Sequence, residues 1–385
     1  MSILKFIEKE TKATKSYGSS RYCFEHIEVP KLDYDDNHQK NWSVKDYGET
    51  NPPKNSLNIQ PFSNKLIEAN VSPLFKYFLD GSRRTYKVDD IAYDNKIFPI
   101  VAGQIGIGCC KRLSPDSFQG EIIEMHNVLV VPQKAYADSY KPELYFNNLL
   151  SKINNLEKLK QLDIQFSNVL YYNKKDNEEK YENLAIAKIQ DRMIELEKIV
   201  VANLTNKKLL SDSIYLIKDG SLEYKVMHTG DFKELSKIKN NYRHVIGVSK
   251  KFNPDLMLDK NNKPNALLLA NLPLYHRTPA IKHKVEMVGD VYFSIWYLRI
   301  RDEKYSASPF DGIIKVEKIL ITDREIEHGL ESEEINNISA HLINERNPVC
   351  YGSDNRWANH LYPIHLTEKF IKSQYLSDVQ FLNLF

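Results

Sequence analysis

Three carboxylates in the sequence stand where phosphoryl chemistry could be done. Asp80 ends the apolar run LFKYFLD and is followed by Gly81 and Ser82, and Asp219 ends the apolar run of SIYLIKDGSL in the same way. A single Asp-Gly pair reads most simply as a β-turn. Two DGS tripeptides, each behind an apolar strand, carry a second reading with equal weight. Neighbouring strand ends would bring the two carboxylates together, where they repel unless a cation lies between them. The third carboxylate lies in IAKIQDRMIELEKIVVANL. At about 100° per residue, Ile186, Ile189, Met193, Val200 and Leu204 share one face, with Glu197 among them and Glu195 nearly opposite. A glutamate on the core side of a helix is uncommon unless it is paired or liganding; a salt-bridged Glu at the helix margin is the plainer alternative. Three oxygen donors without Cys or His suit Mg²⁺ or Mn²⁺ better than Zn²⁺. Such ions activate water and hold both oxygens of an in-line phosphodiester displacement, so the expected chemistry is nucleolytic.

The elements that must position these groups follow from the texture of the chain. Residues 1–70 read as a polar, irregular extension with ten basic and ten acidic residues, a linker or a cover laid over the rest. From residue 74, SPLFKYFLDGSRRTYKVDDIAYD predicts a strand or short helix, a tight Asp-Gly turn and a second strand; KIFPIVAGQIGIGCCKR and EIIEMHNVLVVP predict further strands in a meander. Helices are expected from Pro142 to about Leu162 and from about Glu182 to Leu210, as a helical insertion over about 142–210. Strands at SIYLIKDGSL, NYRHVIGVSK, VYFSIWYLRIR and GIIKVEKILI precede a helical end. The expected class is α/β, a mixed sheet flanked by helices within one main domain over 71–385. A ribonuclease H-like fold has this order of elements, and other α/β folds can host it too.

Composition narrows the field. In 385 residues, 53 Lys and Arg against 51 Asp and Glu give a net charge of +2, so a broad basic nucleic-acid surface is not expected. A hydrophobic content of 42% can bury a real core, and no apolar run is long enough to span a membrane. The start MSILKFIEKETK breaks into charges before a signal-peptide core forms, and Cys23, Cys109, Cys110 and Cys350 show no CxxC spacing; the expectation is a cytoplasmic chain. GQIGIG lacks the Lys-Ser/Thr of a phosphate loop and reads as a twisted strand, with Cys109 and Cys110 as core residues.

Together, LDGSRR, DRMIELE, LIKDGSL, HVIGVSK, IIKVEKI and HLYPIHLTEKFI resemble the NurA nuclease family over about residues 74–375. The resemblance implies a ribonuclease H-like, Mn²⁺- or Mg²⁺-dependent DNA nuclease. It further implies a homodimer that works with a HerA-type hexameric ATPase in DNA end processing or anti-phage defence. By it, Asp80 and Asp219 match the family's two metal aspartates, and Glu197, or less well Glu195, its helix glutamate. Lys250 in GVSK matches a lysine after the DG strand, and Tyr362 the tyrosine of a YPxxL element. The sequence departs eight residues after that tyrosine, where the family carries a His or an acid and this chain has Phe370. Either His365 or Glu368 takes that role, or activity is lost.

DNA contacts are expected from Arg83 and Arg84 beside Asp80, and from Lys237, Lys239, Arg243 and Lys251 around the strand after Asp219. A solvated charged face is the plainer reading of those residues. Two other functional readings stay open. One is a catalytically inactive ribonuclease H-like scaffold that binds nucleic acid or a partner. The other is an Argonaute-like, guide-dependent protein, for which the chain is short.

Overall fold

The computed structural model describes residues 2–16, 21–24, 42–137, 141–173, 180–222, 232–257, 263–285, 291–302, 308–345 and 359–385. Cys350 and the segment 223–231 beyond Asp219 lie outside the described residues.

Ten strands follow one path through a single mixed sheet: β1 (Trp42–Tyr47), β2 (Phe75–Tyr93), β3 (Lys96–Ser114), β4 (Ser117–Pro132), β5 (Phe166–Tyr172), β6 (Tyr215–Asp219), β7 (Val245–Ser249), β8 (Ile281–Val285), β9 (Tyr292–Arg299) and β10 (Ile313–Leu320). Their order is β1-β8-β9-β10-β7-β6-β2-β3-β4-β5. The β2-β3-β4 meander is antiparallel as the sequence predicts, while β6 adds to β2 in parallel and β7 to β6 in parallel. This is an α/β architecture, a large mixed sheet flanked by helices.

Both sheet faces are covered, so the central strands read as nearly continuous apolar runs rather than alternating ones. On one face α4 (Tyr181–Asn206) lays Ile189, Met193, Val200 and Leu204 over Leu79, Ile105, Ile107 and Leu216. On the other, α6 (Ser332–Ile343) and α7 (Tyr362–Lys372) cover Phe78, Ile217, Val248 and Trp296 with Ile335, Ile338 and Ile364. Pro363 in the first turn of α7 suits a helix start, because the amide it lacks would have no intrahelical partner there. The GQIGIG run is strand, as expected, and it forms the seat of α7: a Cβ on Gly108 would lie 2.6 Å from Ile371 Cγ1. Cys23, Cys109 and Cys110 are buried free thiols.

Two expectations are corrected. No turn follows Asp80: β2 runs unbroken for 19 residues, with Asp80 opposite Gly108 and Gly81 opposite Ile107. A partner strand of equal length offers the backbone a complete ladder there, which outweighs the local turn preference of Asp-Gly. The insertion is not wholly helical, since β5 lies between α3 (Pro142–Asn154) and α4 and extends the sheet beside β4. The described parts of residues 1–70 are built into the fold. The first helix, α1 (Ile3–Glu10), buries Ile3, Leu4, Phe6 and Ile7, α2 (Gln60–Glu68) packs against α6, and β1 pairs with β8. Glu49 forms a buried bidentate pair with Arg277 at 2.8 and 2.9 Å.

Candidate active site

The parallel register aligns Leu79 with Lys218 and Asp219 with Val248, so Asp80 and Asp219 stand side by side on adjacent strands. Neighbouring strands lie about 5 Å apart, and residues one step along a strand point to opposite faces. Asp80 therefore points, with Phe78 and Gly108, toward α7. Gly81, Leu79 and Lys218 point toward α4.

On the α7 face Asp219 Oδ2 lies 2.7 Å from Lys250 Nζ, which follows the end of β7. The same ammonium is 3.0 Å from His360 Nε2 and 3.8 Å from Glu368 Oε2. His360 Nε2 is also 3.0 Å from Glu368 Oε2, and Lys372 Nζ reaches Glu368 Oε1 at 2.5 Å. Burial pushes Glu368 upward, but the His360 hydrogen bond and the Lys250 and Lys372 charges outweigh it and hold the carboxyl well below its usual range. Asp80 is the contrary case. It is 5% exposed and receives no hydrogen bond or ion pair from any described residue. Burial and the charge of Asp219 push its carboxyl well above the ordinary value; Lys250 opposes them, and Glu368 and Glu197 add to the rise.

Glu197 is buried, as its place on the helix face predicts, while Glu195 is exposed and pairs with Arg192 at 3.0 Å. It approaches from the opposite face. Its Oε1 lies where a side chain at Gly81 would begin, with a Cβ there only 2.4 Å away, and its Oε2 is 3.0 Å from the buried Lys218 Nζ. Beside this pair Glu317 accepts from Ser221 Oγ and the Leu222 amide and pairs with Lys315 at 2.8 Å.

The expected carboxylates thus gather at one end of the sheet, but on two faces. Asp80 and Asp219 share the α7 face with Glu368, and Glu197 stands across the strand with Lys218. Among the described residues no three His, Cys, Asp or Glu side chains are already grouped around one cation position. Ammonium groups lie against Asp219 and Glu197 instead. The donors on the α7 face still fit a hard divalent cation: three carboxylates, of which the buried Asp80 forms no ion pair with any described residue.

The remaining expected residues are dispersed. The Tyr362 ring packs edge-on against Phe118, at 6.3 Å between centroids. Phe370 sits over Gly120 on β4, and it is Glu368 that turns into the cluster. The His365 ring lies 5.4 Å from that of His360. Arg83 donates to Gln190 on α4 at 2.7 Å; Arg84 pairs with Asp378 of α8 (Asp378–Leu382) and stacks on Tyr375. Lys237 and Lys239 lie on α5 (Phe232–Asn241), which leads away from Asp219 toward the start of β7. Arg243 precedes β7, so the strand, about 16 Å long, separates it from Lys250 and the exposed Lys251.

Sequence reasoning passed over Lys218, Asn359 and His360. Lys218 had a legible signal, a lysine inside the apolar run YLIK that can be buried only if paired. His360 and Asn359 had none, because their place depends on how residues 359–361 return to β7. No protein-family model matches the chain, and no curated protein matches it in sequence.

Proposed function

We propose that this chain is a divalent-metal-dependent deoxyribonuclease with a ribonuclease H-like core of the NurA type. In this reading it is a homodimer that takes DNA from a HerA-type hexameric ATPase, in DNA end processing or anti-phage defence. The observation that carries the reading is Asp80: a buried carboxylate beside Asp219 that forms no ion pair with any described residue. Burying such a group is costly, and a bound cation is one way to compensate it. The strand order supports it, with three antiparallel strands and then two added in parallel on the far side of the first.

Asp80 and Asp219 hold the ion, with Glu368 as the third acid in place of the residue missing at Phe370. Glu197 acts from across the strand through its charge. The chemistry a divalent ion supplies in such a site is neutralisation of the scissile phosphate and a water of lowered pKa. Lys250, against Asp219, is placed to stabilise charge developing on the phosphate. Lys251, exposed next to it, is the basic residue nearest the site for a contact to the DNA backbone.

The test is cleavage of linear single- and double-stranded DNA with Mn²⁺ or Mg²⁺, with and without EDTA. Asp80→Asn and Asp219→Asn each reduce the rate by about a thousandfold. Cleavage that survives either substitution sinks the assignment. The lysines against Asp219 and Glu197 favour one other reading, a scaffold whose carboxylates are permanently neutralised. Absence of cleavage with every metal, and with a candidate ATPase added, supports that scaffold.

A further inference from the structure

The group that holds Lys250 in place, His360, opens the HLYPIHLTEKFI stretch and carries no role in the family resemblance. Lys250 is 7% exposed and follows the last residue of β7, so its own strand does not fix its side chain. Two consecutive residues grip it from the loop that enters α7. The Asn359 side chain donates from Nδ2 to the Lys250 carbonyl at 2.7 Å and accepts the Gly312 amide at 2.6 Å. The next residue, His360, is 2% exposed and sets Nε2 3.0 Å from Lys250 Nζ. Its other nitrogen, Nδ1, lies 3.3 Å from the Leu361 carbonyl, and Glu368, one helix face away, reaches Nε2 at 3.0 Å. The ammonium is therefore walled by Asp219 on one side and by the His360–Glu368 pair on the other.

We propose that His360 is a positioning residue for Lys250: with Asn359 it holds the ammonium at Asp219, in reach of the phosphate. The inference rests on the nuclease reading for its consequence, but the grip itself can be measured without any reaction. A long lysine side chain has several rotamers to lose, and fixing it by contacts is what makes its charge available at one point. His360 does this work through shape and hydrogen bonding. A side chain of similar reach with both a donor and an acceptor should therefore substitute for it.

The experiment compares wild type, His360→Leu and His360→Gln by two readouts. The first is the rate at which Lys250 is acetylated by a small amine-acylating reagent, followed by peptide mass spectrometry with the other buried lysines as internal references. Lys250 should be protected in wild type, react about tenfold faster in His360→Leu, and return most of the way to protection in His360→Gln. Lys218 and Lys315, which His360 does not touch, should keep their wild-type rates and show that the fold is intact. The second readout is DNA cleavage with Mn²⁺. The loss in His360→Leu should fall on kcat, by roughly tenfold, and His360→Gln should recover most of it. Unchanged Lys250 labelling in His360→Leu overturns the proposal, as does His360→Gln behaving like His360→Leu. If labelling follows the prediction but wild type cleaves nothing, the grip stands and the nuclease reading falls.

Discussion

The two DGS tripeptides look interchangeable in the sequence and do opposite things in the fold. At Asp219 the strand ends: Gly220 has φ +81°, the left-handed region that favours glycine, and no described residue lies within 4 Å of where its Cβ would be. At Asp80 the strand continues, and Gly81 keeps extended backbone opposite Ile107. Its glycine is required by a neighbour, the Glu197 carboxylate laid across it. The acids differ as well. Asp219 has Lys250 against it, whereas Asp80 feels mainly the like charges of Asp219, Glu368 and Glu197 and has no ion-pair partner among the described residues. One tripeptide uses glycine for backbone freedom and presents a paired acid; the other uses it for space and presents an unpaired one.

That contrast can be broken at several points. The largest effect is expected at Gly81→Val, which drives Glu197 off Lys218 and leaves a buried ion pair open. Urea denaturation should show a loss of about 4 kcal/mol. Adding Glu197→Ala should offset part of that loss, a coupling that Gly220 should not show. Next is Lys250→Met, which strips Asp219 of its counter-charge and should cost about 3 kcal/mol without metal. Gly220→Ala follows, at about 1–2 kcal/mol, from backbone strain alone. Smallest, and opposite in sign, is Asp80→Asn: in EDTA it should stabilise the fold by about 1 kcal/mol, because it removes a buried charge that nothing pairs.

The pH dependence sharpens the same contrast. The carboxyl of Asp80 is raised in the folded state above its ordinary 3.8. Between those two values the folded chain binds more protons than the unfolded one, so the Asp80 contribution to stability falls as pH rises. Glu368 is lowered below its ordinary 4.5, so its contribution is present above that value and is lost as pH falls. The stability gained from Asp80→Asn should therefore shrink on acidification toward pH 4, as followed by thermal melts in EDTA. Glu368→Gln should lose most stability near neutrality.

How much was legible depended on whether a feature was local. The meander, β6, β7 and the buried place of Glu197 all follow from apolar periodicity, which a single sequence displays. The turn expected at Asp80 failed because the preference of two residues cannot compete with the ladder of a nineteen-residue strand. The convergence of Asp80, Asp219 and Glu197 was half right, since which face of the sheet each carboxylate takes depends on register. The basic cluster around residues 237–251 was close in sequence only; α5 and β7 carry its members to opposite ends of the sheet.

The proposed nuclease requires Asp80 and Asp219 to hold a cation between them. Isothermal titration of Mn²⁺ into the metal-free protein tests this most directly. Wild type should bind Mn²⁺, Asp80→Asn and Asp219→Asn should each weaken it by at least about tenfold, and Glu195→Gln, on the exposed side of α4, should leave it unchanged. Binding by Asp80→Asn as tight as that of wild type would contradict the account.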